Sequence, residues 1–379
     1  MPSPLHIVLL DYRDVTHPEA GGAETYLQEI FGRVANHGHH VTLVCAGYRG
    51  AAPEGRISRI RILRQGNKLN ANVMGARAAL ALARRERVDL FVENLCKIPF
   101  LMPIFTKIPV LPVVLHLFGH TVFQETNPAV ASYVWLSEKL IPLFYRDIPF
   151  VALSDSTAED LARRGVRASS ITIVPPGLDL KHYEAIDAIP KSDRPLLVYV
   201  GRLKRYKGID TVIRAFVSVL RAIPEALLVL VGKGGDRPRL EALARRLGLG
   251  DAVRFEGFVP EETKIRWLRQ AHAVVYPSPR EGWGIAAAEA AACGTPVLAS
   301  DAEGLRDVVR HGVTGFLIPH RDTGAWEARM IEILGDAPLR ERMAAAAREW
   351  ARRFDWDVEA EKMRRIVEEV AAGGREGAR

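Results

Sequence analysis

Apolar positions along this chain fall into short continuous runs separated by amphipathic stretches. LHIVLLD (5–11) is an unbroken apolar run closed by an acid, the pattern of a strand buried on both faces. After a loop comes GGAETYLQEIFGRVANHG, in which Leu27, Ile30, Phe31 and Val34 form a helical stripe ending at Gly38. HHVTLVCAG, VDLFVEN (88–94), PVVLHLF (112–118), PFVALS (149–154) and ITIVPPG (171–177) read as further strands, with helical segments such as ANVMGARAALALARRER among them. This alternation predicts a parallel sheet with helices on both faces. The pattern slackens over LKHYEAIDAIPKSDRP (180–195), polar and proline-bearing, which reads as a hinge. It restarts at LLVYVGR (196–202) and continues through ALLVLVGKGG, VRFEGF, AVVYPS and PVLAS with helices between them. The expected fold is α/β, two Rossmann-like doubly wound parallel-sheet halves spanning 1–180 and 181–355. The last helical stretch, within 356–379, lies beyond the second sheet and is expected to pack back on the first half.

A length of 379 residues accords with two domains, and the 48% hydrophobic content supports full cores. With 52 Lys+Arg against 45 Asp+Glu, the net charge of +7 suits phosphate-bearing ligands or anionic surfaces. It does not choose between a nucleotide-sugar, a nucleic acid and an acidic bilayer. Cys45, Cys96 and Cys293 are too far apart in sequence for a disulfide framework or a metal pair, which favours a reducing cytoplasm. The opening MPSPLHIVLLDYRD has no basic n-region and no small-residue cleavage site. PFLMPIFTKIPVLPVVLHLFG (99–119) is interrupted by Pro103, Pro109 and Pro112 and carries Lys107 and His116, so it makes a poor spanning helix, though it could touch a membrane surface. Neither half carries GxGxxG after its first strand, and GxxxxGK[ST] is absent, which argues against a dehydrogenase or a P-loop NTPase.

The stretch EGWGIAAAE (281–289) places two acids eight positions apart around the start of an alanine-rich helix. A fully helical span would separate their backbones by roughly 12 Å. Paired glycosidase carboxyls sit about 5 to 9.5 Å apart, so one glycosidic bond or one metal is a poor fit. Two anchors gripping the ends of an extended ligand, with the helix N-terminus aimed between them, fit better. Arg202 and Lys207 follow the strand LLVYVG and so start at its carboxyl edge. They suit a diphosphate clamp, or else, with Lys204 and Arg205 beside them, a solvated basic loop.

Taken in order, GGAE, VPPGLD (174–179), VGRLKRYKGID (200–210), FEGFVP (255–260) and PSPREGWGIAAAEAAACGTPVLAS (277–300) resemble the family 4 retaining glycosyltransferases of the GT-B fold. The resemblance spans nearly the whole chain and is densest from Val200 to Ser300. It implies a nucleoside-diphosphate-sugar donor held mainly by the second half, a hydroxyl acceptor read by the first, and a cleft that closes to expel water. It implies no cofactor and no metal, with Arg202 and Lys207 doing the electrostatic work. By the same resemblance Glu281 holds hydroxyls of the transferred sugar and Glu289 the ribose, while Gly282, Trp283, Gly284 and Ile285 lead into the helix facing the diphosphate. Gly21, Gly22 and Gly201 are expected to bring backbone close to the donor, and Phe258 to form the wall against the base. His116, at the end of PVVLHLF, is expected near the reacting sugar, with His120 competing for the role. The expected catalytic set is thus His116, Arg202, Lys207 and Glu281. His37, His39 and His40 read as cap or surface residues, and Glu24, His17 and Ser154 carry no defined role. Apolar and basic residues in 99–119 and in LSEKLIPLFYRD suit peripheral contact with an anionic membrane at the inner face of the cell, against a bland reading as a buried strand with a packed loop. Nucleic acid is not expected as a partner. The rivals are a sugar-nucleotide epimerase or phosphorylase of the same fold, and a basic binding protein for anionic polymer or membrane.

Overall fold

A computed structural model describes residues 3–96, 98–124, 127–184 and 189–376. The chain forms two compact units, Met1–Gly177 with Trp356–Arg379, and Leu178–Asp355.

The sheet of unit 1 contains β1 (His6–Leu10), β2 (His40–Cys45), β3 (Glu54–Ile57), β4 (Ile60–Arg64), β5 (Leu90–Asn94), β6 (Val110–Val114), β7 (Phe150–Ala152) and β8 (Ile171–Ile173). Its helices are α1 (Gly22–Asn36), α2 (Ala71–Ala83), α3 (Met102–Phe105), α4 (Pro128–Lys139), α5 (Ile141–Phe144) and α6 (Asp155–Arg163). The strand order is β3-β4-β2-β1-β5-β6-β7-β8, parallel except for the β3–β4 pair. β1 and β5 occupy the centre with helices on both faces, so nearly every residue in them is buried and both read as unbroken apolar runs. The order runs outward from β1 to β2 and from β5 to β8, and winding therefore reverses between β1 and β5.

Three features depart from the sequence expectation in this unit. The β3–β4 hairpin was not anticipated, because β3 is an exposed edge strand, EGRI, with no apolar face to announce it. Arg64 at the end of β4 donates from Nε to the Asp14 carboxylate at 2.7 Å and so ties the hairpin to the loop after β1. β6 spans 110–114 rather than 112–118, since Leu115 and Leu117 stay buried in the core after the strand has ended. His39 is buried, not a surface residue: its Nδ1 accepts the Leu5 N–H at 3.2 Å and its Nε2 lies 3.1 Å from Glu368. His37 is the C-cap of α1 and His40 is exposed, as a cap and surface reading requires.

Unit 2 contains β9 (Leu196–Val200), β10 (Leu227–Val231), β11 (Val253–Gly257), β12 (Ala273–Tyr276), β13 (Val297–Ser300) and β14 (Gly315–Ile318). Its helices are α7 (Leu180–Glu184), α8 (Ile209–Ala222), α9 (Arg237–Arg246), α10 (Glu261–Gln270), α11 (Ile285–Ala292), α12 (Leu305–Val308), α13 (Thr323–Gly335) and α14 (Ala337–Ala351). All the strands are parallel, in the order β11-β10-β9-β12-β13-β14, so winding reverses between β9 and β12. The unit boundary falls at Gly177/Leu178, and the start of the expected hinge is the helix α7; residues 185–188 of that hinge lie outside the described residues. The last helix, α15 (Trp356–Glu376), belongs to unit 1. It packs on α1, with the Tyr26 and Trp356 rings 6.1 Å apart and Arg33 Nε 2.6 Å from Asp357.

Candidate active site

Ligands of open parallel sheets bind beyond the carboxyl ends of the strands where winding reverses. In unit 2 that place lies between β9 and β12. Gly201 follows β9 directly, and Lys207 closes a single 3-10 turn, Arg205–Lys207. From β12 the chain runs through residues 277–284 into α11. The two loops touch so closely that a Cβ on Gly208 would lie 2.6 Å from the Pro277 carbonyl oxygen.

Lys207 and Glu281 bridge these loops. The Lys207 ammonium is buried, forms an ion pair with Glu281 Oε1, and lies 5.1 and 5.5 Å from the ring centroids of Tyr206 and Tyr276. Arg202 is exposed and forms no ion pair among the described residues. The sequence treats Lys207 and Glu281 as separate contacts, one for phosphate and one for sugar. The fold makes them one coupled pair, while Arg202, Lys204 and Arg205 are exposed on the loop after β9.

Glu281 is anchored through its backbone, whose N–H donates to the Glu303 carbonyl at 3.2 Å. The Trp283 ring is buried edge-on against Phe354 at 4.7 Å, so it serves the core and leaves only its backbone for a ligand. Gly284 opens α11 at φ +105, where a Cβ would also meet Leu305 Cδ2 at 2.9 Å. The conformation and the space therefore both require glycine. Half-buried Ile285 follows. The alanines of α11 are small because Ala287, Ala288, Ala290 and Ala291 are buried, with α14 against the helix.

Glu289 is the one acid in this apolar helix. Its carboxylate accepts from Lys264 Nζ at 2.9 Å, and the same ammonium lies 2.7 Å from Glu261. Burial pushes Glu289 above the ordinary carboxylate range, while Lys264 and the Tyr183 hydroxyl pull it back. Burial acts to lower Lys264, and the two acids outweigh it and hold the ammonium above its ordinary value. Each acid of the EGWGIAAAE stretch therefore has its own lysine. Lys264 and Tyr183 escaped the sequence reading because their partnership with Glu289 spans distant segments and leaves no local spacing to find.

Phe258, 75% exposed, stands just past β11 with Lys233 Nζ 5.0 Å from its ring centroid. Both residues sit at the carboxyl edge of the same sheet as Arg202. Among the described residues no group of three or more His, Cys, Asp or Glu could hold a metal.

In unit 1, Gly21 is extended and Gly22 begins α1; Glu24 accepts the Gly21 N–H at 2.7 Å, which makes it a helix-capping residue. Ser154 likewise caps α6, accepting the Thr157 N–H. His17 packs edge-on against Tyr48 at 4.9 Å. His116 lies two residues past β6, half-buried, its ring 4.7 Å from Phe118; the side chain of His120 lies outside the described residues.

A family model described as Glycosyl transferases group 1 matches residues 184–350, and one described as Glycosyltransferase Family 4 matches residues 20–182. These are two consecutive glycosyltransferase matches along the one chain. The chain is 38% identical over 232 residues to the D-inositol 3-phosphate glycosyltransferase of Xylanimonas cellulosilytica, covering 56% of this chain and 55% of that one. Its likeness to the protein of the same name in Corynebacterium jeikeium is 34% over 245 residues, 60% and 58% of the two chains. The chain spans about half the length of the curated relatives it matches. Among solved structures it is similar to sucrose-phosphate synthase from Thermosynechococcus elongatus, with a TM-score of 0.82, 25% identity, and 97% and 100% of the two chains covered. It is similar in fold to Anabaena HepE, solved with UDP-glucose, at a TM-score of 0.75 and 21% identity over 96% and 100% of the chains. The architecture is GT-B.

Proposed function

We propose that the chain is a glycosyltransferase that moves a hexose-type sugar from a nucleoside-diphosphate sugar to an acceptor hydroxyl, with retention at the anomeric carbon and without a metal ion. The observation that carries this reading is the Lys207–Glu281 pair at the β9/β12 reversal, with exposed Arg202 on the loop that follows β9. Arg202 and Lys207 take the diphosphate, and the backbone of Gly201, Gly282 and Gly284 with the first N–H groups of α11 lies against it. Glu281, oriented by Lys207, accepts from hydroxyls of the transferred sugar. Glu289, oriented by Lys264, accepts from the ribose, and Phe258 stacks on the base. Gly21, Gly22 and His116 are the contributions proposed for unit 1, two through backbone and one through its imidazole.

In the transfer the bond from the anomeric carbon to the β-phosphate oxygen breaks, and the acceptor oxygen bonds to that carbon on the same face. The acceptor proton passes to the departing phosphate oxygen, so no protein nucleophile is required. Arg202 and Lys207 offset the charge that develops on the diphosphate, at about 1.5–3 kcal/mol for each charge-assisted contact. A phosphorylated polyol is the first acceptor to try, because the curated relatives are named for one. Cys45 and Cys293 are buried as thiols, and a reducing cytoplasm is the setting proposed.

The test is product analysis with sugar-labelled donors of different bases, in excess chelator. The expected product is a new glycoside that keeps the donor's anomeric configuration. Isomerised donor without glycoside would make the protein an epimerase, and an inverted product would end the retaining part. Activity abolished by chelator and restored by Mg²⁺ or Mn²⁺ would end the metal-free part.

A further inference from the structure

Thirteen large apolar side chains are exposed among the described residues, and eight of them fall between Ile104 and Leu143 of unit 1. Along α4, the junction residue Leu140 and α5, the side chains of Tyr133, Leu136, Leu140 and Leu143 recur at helical spacing, with Tyr133, Leu136 and Leu143 at 55%, 53% and 66% exposure. The opposite face, with Ala131, Val134 and Ile141, is buried in the core. A helix pair that is apolar on both faces has more such surface than its own unit covers, and a contiguous exposed patch of this kind marks a docking site. α3 is fixed beside α5, because the Leu101 N–H at its start donates to Glu93 and to the hydroxyl of Tyr145, the residue that follows α5. The exposed Ile104 and Phe105 of α3 extend the same apolar surface.

The charge around this stripe selects the partner. Lys107, Lys139 and Arg146 are exposed on or beside these elements. Glu138, the one acid within α4 and α5, is fully buried, where it accepts the N–H groups of Phe118 and Gly119. Asp147 just beyond is engaged by Arg167 at 2.7 Å and Arg146 at 3.9 Å. On adjoining α6, Asp160 pairs with Arg164 at 3.2 Å and Glu159 with Arg163 at 3.8 Å. Lys139 Nζ lies 3.7 Å from the Trp135 ring centroid, a cation and an indole together at the edge of an apolar strip. An apolar stripe rimmed by cations and aromatic rings suits an anionic lipid surface. Two copies of the face would instead bring like charges together across a two-fold contact. No helix among the described residues is long and apolar enough to cross a membrane.

We propose that the α3–α5 face of unit 1 docks on the surface of an anionic bilayer, with Leu136, Leu140 and Leu143 entering the headgroup layer. The inference goes beyond the transfer reaction and does not rest on it. The test is flotation of the full chain with vesicles of phosphatidylglycerol and phosphatidylcholine, or of phosphatidylcholine alone, at low and high salt. Binding is expected on the anionic vesicles and should weaken as salt screens the attraction. The double variant Leu136→Glu/Leu143→Glu should bind at least roughly tenfold more weakly with unchanged circular dichroism and melting temperature, since both positions are solvent-facing. Lys139→Gln should cost about fivefold, and Val313→Glu, on the exposed surface of unit 2, should change nothing. Absence of binding to anionic vesicles at low salt, or wild-type binding by the double variant, would overturn the proposal. So would a concentration-dependent dimer that the double variant converts to monomer. Flotation requires neither donor nor acceptor, so failure here leaves the transfer reaction standing, and failure of transfer leaves this face standing.

Discussion

Lys207 and Glu281 illustrate how a residue's role depends on a partner that spacing cannot reveal. If each acted alone, losing both would cost the sum of the separate losses. The ion pair predicts otherwise, because Lys207→Ala leaves Glu281 part-buried without its cation and Glu281→Gln frees Lys207 from its orienting acid. Lys207→Ala alone should lower kcat/KM about ten- to a thousandfold. The double variant should fall short of the summed losses by about 1–3 kcal/mol of coupling. Additive losses in kcat/KM would show that the pair is incidental to transfer. The second pair makes a separable prediction. Glu289→Gln, or Lys264→Met which removes its orienting cation, should weaken the sugar-free nucleoside diphosphate by about 1–3 kcal/mol. Glu281→Gln should change binding of that ligand less than Glu289→Gln does, through Lys207 alone, and should act mainly on kcat, since only the sugar changes charge and shape toward the transition state. Calorimetric titration separates the two, and the reverse ranking would mean that the ends of the ligand are exchanged. Arg202, Lys207 and Glu281 were legible because they stand on the segments that follow β9 and β12, and Glu289 because it is the one acid of the alanine-rich helix α11. Lys264 and Tyr183 were not, because only the fold brings them to Glu289.

Among the elements, Glu93 at the end of β5 carries the clearest consequence of burial. Its carboxylate accepts the N–H groups of Phe100, Leu101 and Met102 and the Tyr145 hydroxyl, and so fastens the start of α3 and the end of α5 to the central strand. Burial outweighs these donors and pushes it from 4.5 up to about 7. A folded-state pKa raised in this way contributes stability that is fully present below about 4.5 and lost as pH rises through about 7. Glu93→Gln should therefore flatten the decline in melting temperature across that window, removing a pH-dependent contribution of up to about 3 kcal/mol. Parallel wild-type and variant profiles would mean that the carboxylate stays ionised throughout. The run LFVEN showed this strand in sequence despite its acid, because every other large residue in it is buried on both faces. The same rule failed at β3, an exposed edge of Glu54, Gly55, Arg56 and Ile57, and GFLI of β14 went unread although it is as long as β12 and β13. It overran at β6, where apolar residues continue into the core after the strand stops.

At the scale of the whole molecule, the chain closes unit 1 with its last helix after completing unit 2. α15 buries Trp356, Met363 and Val367 in unit 1, along with Ala360 and Ala371. Three large apolar side chains at about 1.5–3 kcal/mol each amount to roughly 5–9 kcal/mol, which rivals the 5–15 kcal/mol that typically holds a whole domain together. Unit 1 is therefore incomplete until α15 is made, whereas β9–β14 and α7–α14 all lie within Leu178–Asp355. A chain truncated after Asp355 should lose hydrogen-exchange protection throughout β1–β8 and retain it in β9–β14. Arg202, Lys207, Phe258 and Glu289 all lie in unit 2, so the truncated chain should still bind a nucleoside diphosphate while losing transfer. Loss of protection in both units together would show that they unfold as one cooperative body. Undiminished protection in β1–β8 would show that α15 covers unit 1 without completing its core.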